Sequence, residues 1–579
     1  MPAKPSGEIK TSIIKKPQKN GDTYIIERKT KYDPEKKYTK VISSKLISKI
    51  PKGSETPVPT RPKRRKSDKN SEESNIVTAH RNHIGMMNII DHIGKSSGID
   101  EAVYSSTDIG TAQKIISLAR YLLATNGQTL PGISTWQYNH PLPYEDGISE
   151  DIYHDLFASV GRDESLQQNF FKHRCNTLSA DDALAYDSTT ISTYSQNQNE
   201  ARYGFNKSHD GLKTIKQLTL YSIKTRQPVA FTKQPGNLPD VTSVATAVKQ
   251  LSALGVKKTE IVTDNGYYSE NNLSELFQAG FDFITLAKTS IKWIRPELEK
   301  QTDALNDFRN MCPFDRSTYG VSVCVMHDFQ KERKYASRKK GCEKGTIETF
   351  SRRVYLNIFF NRSRQTSDKI AFDNDLFELK TMIESGVPLS SLSESGQKKF
   401  NKYFTIKKRG GKITAVPDNK AIQDACKYHG YFVLVANKEK DPFECLAKYR
   451  RRETIESFFE AEKQHADGSR VRVWDTDTLR GRMFVQFVAL CYYEYLNEEI
   501  RRIKEELGRQ PDEGEPVSKK ILENEEKLKS WMNNTPLYLQ LQWFDTQESV
   551  DVSVKLRNRR WTTEITERDQ LYLEKLGVV

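Results

Sequence analysis

The hydrophobic pattern separates a helical part of the chain from a part that alternates between strands and helices. From about 78 to 175, apolar residues recur at steps of three and four, most clearly from Ile109 to Leu122, which predicts amphipathic helices. After residue 180 the pattern changes to short β-prone runs joined by polar turns. The predicted elements are, in order, the strands ALAYDSTTIST, IKQLTLYSI and PVAFTK, a helix ending at Gly255, the strand TEIVTD, a helix beginning at Ser269, and the strand FDFITLA. This order predicts a mixed α/β sheet.

The alternation is interrupted between about 288 and 428 and then resumes. The interruption has strands of its own, VSVCVMHDF and RVYLNIFF, and we interpret it as an inserted, β-rich subdomain. The strand YFVLVAN follows, and then one long helix is predicted through AKYRRRETIESFFEAEKQHA, with Asp441 and Pro442 near its start. The next helix is apolar over 481–499, which favours packing in the core over a dimer contact.

The first 76 residues are rich in Lys, Pro and Ser and predict a basic arm or linker. Within them, two β-prone runs surround the turn signal DPEKK, which predicts a small hairpin over 22–47. The run RPKRRK is either a solvated tail or a patch that contacts phosphate or acts like a nuclear-localisation signal.

These changes in pattern predict six segments. They are a basic arm with a small β-hairpin and linker (1–76), a helical domain that either binds DNA or only packs (77–178), the first part of an α/β domain (179–287), the insertion (288–428), the second part of the α/β domain (429–509), and a C-terminal region with a possible dimerisation role (510–579).

The charge balance points to a nucleic-acid partner. The 579 residues include 90 Lys and Arg against 76 Asp and Glu, a net charge of +14 that attracts a polyanion. The seven cysteines contain no CxxC pair, which is typical of reduced thiols; the spacing of Cys312, Cys324, His327 and Cys342 matches no common zinc template. With no signal peptide and no apolar run near the roughly 20 residues that cross a bilayer, we expect a cytoplasmic protein with no membrane partner.

Two aspartates stand where packing alone does not favour them. Asp187 in LAYDSTT and Asp264 in EIVTDNGYY each follow an apolar β-run and precede polar residues. Strand ends of an open α/β sheet face the functional crevice, and a buried carboxylate is costly without a partner. Alone, each is an ordinary turn or cap residue; as a pair, they imply a bound cation.

The predicted long helix carries a third group of polar side chains. Tyr449, Arg452, Glu456 and Lys463 fall on one stripe at about 100° per residue, a spacing suited to one metal-binding carboxylate with a phenol and two cations for a phosphate backbone. A solvated helix with paired charges is the alternative. Glu453 and Glu460 lie near the same face, so helical geometry does not select Glu456 among them.

The order Asp187, Asp264, a long insertion and a Y-x2-R-x3-E-x6-K spacing resembles DDE transposases of bacterial insertion sequences, in the insertion-sequence four group and its close relatives. The segments DSTTIST, RYGFNKSHDGLK, PGNLPDVTS and DNGYYSENNL add to the likeness, which covers about 180–470. About 190 residues separate Asp264 from Glu456, and the likeness is weak within that insertion.

The resemblance implies an RNase-H-like catalytic fold in which Asp187, Asp264 and Glu456 bind two Mg²⁺ or Mn²⁺ ions per active site. It implies cleavage of double-stranded DNA at terminal inverted repeats and strand transfer into target DNA, in some relatives through hairpin ends. Tyr449, Arg452 and Lys463 would contact DNA, and Trp293 is the nearest candidate to stack on a flipped base. It further implies a homodimer that holds two ends together, in the nucleoid of a bacterial or archaeal cell.

The chemistry of phosphodiesters favours the same interpretation. Two cations about 3.5 to 4 Å apart can stabilise both the attacking and the leaving oxygen, and hard cations require oxygen ligands. A covalent Ser188 or Thr189 is disfavoured because no His–Asp partnership is recognisable, and no GxxxxGK[ST] loop indicates an NTPase. Two alternatives stay open: a DNA-binding protein without catalysis, and a structure-selective nuclease.

Overall fold

The fold comes from a computed structural model. It describes residues 9–33, 38–59, 78–179, 181–206, 210–256, 258–332, 345–409, 412–468, 470–507, 519–554 and 557–578. The chain forms two compact units, one of residues 1–78 with 554–557 and one of residues 79–553 with 558–579. The run RPKRRK at 61–66 lies outside the described residues.

The first unit is a four-stranded antiparallel sheet in the order β1-β2-β3-β4. Its strands are β1 (Ile9–Pro17), β2 (Thr23–Asp33), β3 (Tyr38–Ile50) and β4 (Val58–Pro59). The predicted hairpin is confirmed as β2 paired with β3, from Thr23 opposite Ile50 to Asp33 opposite Tyr38. The prediction was incomplete because β1, whose residues are almost all exposed, lacks the apolar alternation that signals a strand.

The second unit begins with one strand and six helices. They are β5 (Thr78–His83), α1 (Gly85–Ser96), α2 (Ile99–Tyr104), α3 (Ile109–Ala124), α4 (Ile133–Trp136), α5 (Glu150–Arg162) and α6 (Glu164–Asn176). The Asp108 side chain accepts a hydrogen bond from the Thr111 backbone N–H and so caps the N-terminus of α3. Its apolar stripe, including Ile115 and Leu122, is buried in the main core.

The predicted α/β alternation follows. Its elements are β6 (Ala183–Thr193), β7 (Lys213–Ser222), β8 (Gln227–Pro235), α7 (Val244–Ala253), β9 (Glu260–Thr263), α8 (Glu270–Ala279) and β10 (Asp282–Ala287). Ser269 caps α8 through the Asn272 N–H, and Gly255 follows α7 with φ of +82°, both as predicted.

The segment after β10 has two parts. Its elements are α9 (Arg295–Lys300), β11 (Met311–Cys312), β12 (Asp315–Glu332), β13 (Ile347–Asn361), α10 (Arg362–Glu384), α11 (Glu394–Tyr403), β14 (Phe404–Arg409), β15 (Lys412–Pro417) and α12 (Asn419–Cys426). Strands β11 to β13 extend the large sheet, whereas β14 and β15 pair with each other. Leu376, Ile383 and Phe400 centre a separate small core in this second part.

The rest of the second unit is mostly helical. Its elements are β16 (Tyr431–Ala436), α13 (Pro442–Arg451), α14 (Thr454–His465), α15 (Thr476–Glu506), α16 (Lys519–Asn534), α17 (Leu537–Phe544), β17 (Glu548–Val554), β18 (Arg557–Thr562) and α18 (Glu567–Leu576). The apolar half of α15 lies in the core, as predicted. None of the helices in the described part of the chain has the length and apolar character needed to span a membrane.

The large mixed sheet has nine strands in the order β11-β12-β13-β16-β10-β9-β6-β7-β8. At its centre β6 is antiparallel to β7 and parallel to β9, and β9 is parallel to β10. Strand β16 joins the two halves by pairing antiparallel with both β10 and β13. The central parallel strands therefore end at one edge, where β6 and β9 bring their polar residues together.

The cysteine combination considered for zinc does not converge in the described residues. Cys324 and His327 are three positions apart on β12, so their side chains point to opposite faces of the strand. Cys342 lies outside the described residues. Among the residues described, Cys312, Cys324 and His327 do not form a group of potential metal ligands.

Candidate active site

Asp187 and Asp264 lie at the same end of two neighbouring parallel strands. The pairing of β6 with β9 runs from Ala183 opposite Glu260 to Ala185 opposite Val262. Each aspartate comes two residues after the last of these pairs, so both lie just beyond the paired segment. Asp264 directly follows β9, as predicted, whereas Asp187 lies inside β6 because that strand continues to Thr193.

The single long helix predicted for the third group is wrong. Helix α13 ends at Arg451 and α14 begins at Thr454. In the turn between them, the backbone N–H groups of Ile455 and Glu456 donate to carbonyls three residues earlier. The Thr454 hydroxyl also donates to the Arg451 carbonyl at 2.7 Å, a local bond that competes with the helical ladder. The four polar residues are therefore divided between two helices and the turn.

The turn positions Arg452 between two of the carboxylates. Its guanidinium is buried, with Nη1 3.3 Å from Asp187 Oδ2 and Nη2 3.4 Å from Glu456 Oε1. Burial by itself lowers the pKa of Arg452, and the surrounding anionic groups outweigh that effect and raise it, so the side chain stays a cation. Among the three candidate glutamates, this contact distinguishes Glu456, whose side chain is 60% exposed.

Tyr449, in the last turn of α13, contacts the second aspartate. Its hydroxyl donates to Asp264 Oδ1 at 2.9 Å, and its ring lies 5.3 Å below the Arg452 guanidinium carbon. Burial, and then the charge of Asp264, raises the pKa of Tyr449. The phenol therefore keeps its proton and acts as a hydrogen-bond donor at neutral pH.

Two further polar side chains at this edge were not selected from the sequence. Tyr267 donates its hydroxyl to Asp187 Oδ1 at 3.1 Å, and burial followed by the Asp187 charge raises its pKa well above the ordinary value. Asp240 accepts from Ser188 Oγ at 2.8 Å and from Lys216 Nζ at 2.7 Å. Tyr267 lies in the segment DNGYY and Asp240 in PGNLPDVTS. In each segment, the signal that could have indicated a site residue was a polar side chain next to the end of a predicted strand or helix.

Asp240 does not cap α7. It begins a short 3₁₀ turn over Asp240–Thr242, and α7 begins only at Val244 without a side-chain cap. The carboxylate instead faces Lys216, whose ammonium is buried between it and the Leu238 carbonyl. A buried lysine needs such partners, which explains why this acid is turned toward the sheet.

Lys463 and Trp293 are the other two residues predicted to contact DNA. Lys463 is seven residues beyond Glu456 on α14, about 10.5 Å along the axis on the same face. Trp293 is partly buried, with its ring stacked on His327 at 4.1 Å between centroids. Its N–H also approaches Tyr268, four residues after Asp264; burial raises the pKa of Tyr268 to about 12 against a smaller lowering by Trp293.

Comparison with known proteins gives one family match. The family model described as the transposase DDE domain matches residues 178–492, more than half of the chain, and this range contains Asp187, Asp264 and Glu456. The cryo-EM structure of the piggyBac transposase synaptic complex with hairpin DNA is 10% identical, covering 78% of this chain and 84% of that chain with a TM-score of 0.31. A likeness this weak does not establish a shared fold. No curated protein matches the chain.

Proposed function

Because the chain belongs to the transposase DDE domain family and is a DDE-type DNA transposase, we propose that Asp187, Asp264 and Glu456 are its catalytic carboxylates. The observation that carries this proposal is the buried Arg452 guanidinium, which contacts Asp187 and Glu456 together. Arg452 is held by the first and third acids and lies over the ring of Tyr449, which is bonded to Asp264, and this arrangement supports one shared centre for all three acids.

The donor set fits divalent ions. DDE transposases generally use divalent metal ions, and three carboxylates supply only oxygen ligands, which Mg²⁺ and Mn²⁺ prefer. We propose that Asp187, Asp264 and Glu456 hold two such ions in each active site. Bound there, the ions would lower the pKa of a water or 3′ hydroxyl and neutralise charge on the phosphate undergoing transfer. The Glu456 carboxylate is exposed but pairs with Arg452 at 3.4 Å, so it would exchange that contact to share an ion with the aspartates.

The remaining side chains are suited to binding the DNA backbone. Arg452 has donors in a planar fork that matches phosphate geometry, and its contacts at 3.3 and 3.4 Å are long enough to be exchanged for a phosphate oxygen. We propose that Tyr449 and Arg452 orient the phosphate next to the cleaved bond and that Lys463 contacts the backbone farther along α14. Trp293 is proposed to stack on a base, which requires it to leave His327.

The sheet supports a more specific classification. Strands β8, β7, β6, β9 and β10 lie in the spatial order 3-2-1-4-5 of this segment, with the first three antiparallel and the last two parallel to β6. We propose that this part of the sheet is an RNase-H-like catalytic core interrupted by an insertion, and that the chain is related to the insertion-sequence four group. We further propose that a homodimer holds two transposon ends at the nucleoid of a bacterial or archaeal cell, with hairpin ends as intermediates.

Substitution of single acids tests the site. We expect Asp187→Asn, Asp264→Asn and Glu456→Gln each to abolish cleavage of a cognate end fragment in Mg²⁺ while retaining binding in a gel-shift assay. Glu453→Gln and Glu460→Gln, which change exposed glutamates within four residues of Glu456, are the matched controls and should cleave. Cleavage by Glu456→Gln together with loss in either control would move the third ligand to that control residue.

The wild-type protein separates the alternatives. An active transposase joins the 3′ ends to a target plasmid, which a sequencing assay detects as insertions. Cleavage without joined product would favour a structure-selective nuclease. Binding without nicking would favour a DNA-binding protein that has lost catalysis.

A further inference from the structure

Two histidines and an aspartate from distant parts of the second unit meet outside the candidate active site. His83 ends β5, His140 follows α4, and Asp545 follows α17. One potential ligand atom from each side chain can be chosen so that all lie within 4.8 Å of one another. Glu548, the first residue of β17, is adjacent, with its Oε1 3.8 Å from His83 Nε2.

The hydrogen bonds of the two imidazoles fix their tautomers. His83 Nδ1 lies 2.7 Å from the Asp545 backbone carbonyl, and His140 Nδ1 lies 2.7 Å from the Trp136 backbone carbonyl. A carbonyl only accepts, so each Nδ1 must carry a proton and donate. In the neutral imidazole this leaves a lone pair on each Nε2.

Each of these lone pairs faces a carboxylate. His140 Nε2 is 2.9 Å from Asp545 Oδ1, and His83 Nε2 is directed at Glu548. A lone pair and a carboxylate oxygen repel each other unless a proton or a metal ion lies between them. At His140 Nε2, 2.9 Å from the carboxylate, either a proton or a metal ion removes this repulsion, whereas protonating His83 as well would stack two imidazolium cations with centroids 4.6 Å apart and planes 16° from parallel, an arrangement that like charges disfavour.

A single divalent ion can take the place of the proton at His140 Nε2 and bind His83 as well. An ion lies in the plane of each imidazole that binds it, so the two stacked rings must turn to share it. We propose that His83, His140 and Asp545 bind a divalent transition-metal ion of the zinc class, with Glu548 available as a fourth ligand. Imidazole nitrogen with carboxylate oxygen suits Zn²⁺, and the carbonyl bonded to each Nδ1–H is the outer-shell partner that orients a metal-binding histidine. This set differs from the all-oxygen set of the candidate active site, so the two sites should select different metals.

The surroundings indicate a structural ion. The His140 side chain is only 8% exposed and its ring stacks on Trp136 at 3.8 Å, whereas the His83 side chain is 22% exposed, which gives an ion a path in from solvent. The three ligands come from β5 near the start of the second unit, from the segment after α4, and from the junction of α17 with β17. Strands β5 and β17 are neighbours in the three-stranded sheet β18-β17-β5. An ion there would fasten the C-terminal region to the helical part of the unit.

Cobalt substitution tests the proposal on the full-length protein. Chelator-treated protein is titrated with Co²⁺ in excess Mg²⁺, which occupies the all-oxygen site. We expect visible Co²⁺ bands that saturate at one equivalent, lack sulfur-to-metal charge transfer, and disappear on adding Zn²⁺. Zn²⁺ should also raise the thermal unfolding midpoint of the chelator-treated protein by an amount that grows with the logarithm of its concentration.

Variants identify the ligands. His140→Gln and Asp545→Asn should lose the bands and the Zn²⁺ shift, and His83→Gln, at a more exposed ring, serves if the buried His140 variant does not fold. His154→Gln, at an exposed histidine on α5, is the matched control and should retain both. Absence of Co²⁺ bands from the wild type, equal bands in the ligand variants, or a thiolate band would overturn the proposal.

Discussion

Removing Arg452 should strengthen metal binding and weaken catalysis at the same time. In the DNA-free protein the guanidinium occupies Asp187 Oδ2 at 3.3 Å, and both side chains are mostly buried, at 6% and 15% exposure. An incoming cation must compete with that contact for the same carboxylate. Arg452→Gln removes the competing charge and keeps a side chain of similar length and polarity.

The expected change in metal affinity follows from the 3.3 Å distance between Arg452 Nη1 and Asp187 Oδ2. Two unit charges 3.3 Å apart attract by about 1.3 kcal/mol in bulk water and about 5 kcal/mol at the effective dielectric constant of about 20 that suits protein sites. Even the lower figure corresponds to roughly a tenfold change in a dissociation constant. We therefore expect Arg452→Gln to bind Mn²⁺ at least about tenfold more tightly than the wild type, while cleavage of cognate ends falls because a phosphate ligand is lost.

Isothermal titration or Mn²⁺ electron paramagnetic resonance on DNA-free protein measures the affinity, with end cleavage assayed in parallel. Arg451→Gln, at the exposed neighbouring arginine, is the control and should change Mn²⁺ affinity little. Unchanged or weaker Mn²⁺ binding by Arg452→Gln would refute the reasoning, because it would mean that the guanidinium and the ions do not share Asp187.

Three more predictions concern groups around the same site and core. Burial raises the pKa of Glu462 to about 7 from an ordinary 4.5, so the unfolded chain ionises first as pH rises; this group should lower the free energy of unfolding by about 3 kcal/mol between pH 4.5 and 7, and Glu462→Gln should reduce the pH-dependent loss by that amount in thermal melts. A β-carbon at Gly481 would lie 2.0 Å from the Phe157 carbonyl oxygen. Gly481→Ala should therefore lower the free energy of unfolding by about 1 to 3 kcal/mol through overpacking, which is measured as a lower melting midpoint. Tyr449→Phe removes the 2.9 Å bond to Asp264 and should slow end cleavage about tenfold in single-turnover assays, with DNA affinity nearly unchanged.

The first two of these predictions have a control within the chain. Glu460→Gln changes an exposed glutamate and should leave the pH slope intact. Gly110→Ala, at a helical glycine whose nearest neighbouring atom would be 3.4 Å away, should be neutral or stabilising. A flat pH profile for the wild type, a tolerated Gly481→Ala, or full-rate cleavage by Tyr449→Phe would each contradict the corresponding contact.

The catalytic sheet could be predicted from the sequence because its strands are short, buried and separated by clear turn signals. The strands from Ala183 to Ala287 and the cap at Ser269 follow local rules of periodicity and capping. Strand β1 could not be predicted in the same way, because its pairing with β2 is a long-range backbone contact that leaves no apolar alternation in its own sequence.

The candidate site could be predicted only as a set of residues. The resemblance to DDE transposases pointed to Tyr449, Arg452 and Glu456, whereas helical spacing alone did not separate Glu456 from its neighbouring glutamates. The single helix predicted for these residues is wrong. The contact between Arg452 and Asp187 joins residues 265 apart in the chain, and helical periodicity carries no signal of such a contact. For the same reason, the sequence did not indicate Tyr267 or the cluster of His83, His140 and Asp545. The spacing of these residues does not suggest a shared site.

The most direct measurement is an Mn²⁺ anomalous diffraction map of the protein bound to its transposon-end DNA. The account predicts two peaks about 3.5 to 4 Å apart, ligated by carboxylate oxygens of Asp187, Asp264 and Glu456 and by the DNA phosphate at the cleavage site. Peaks that exclude Glu456 in favour of another acid, or an absence of metal between Asp187 and Asp264, would contradict it.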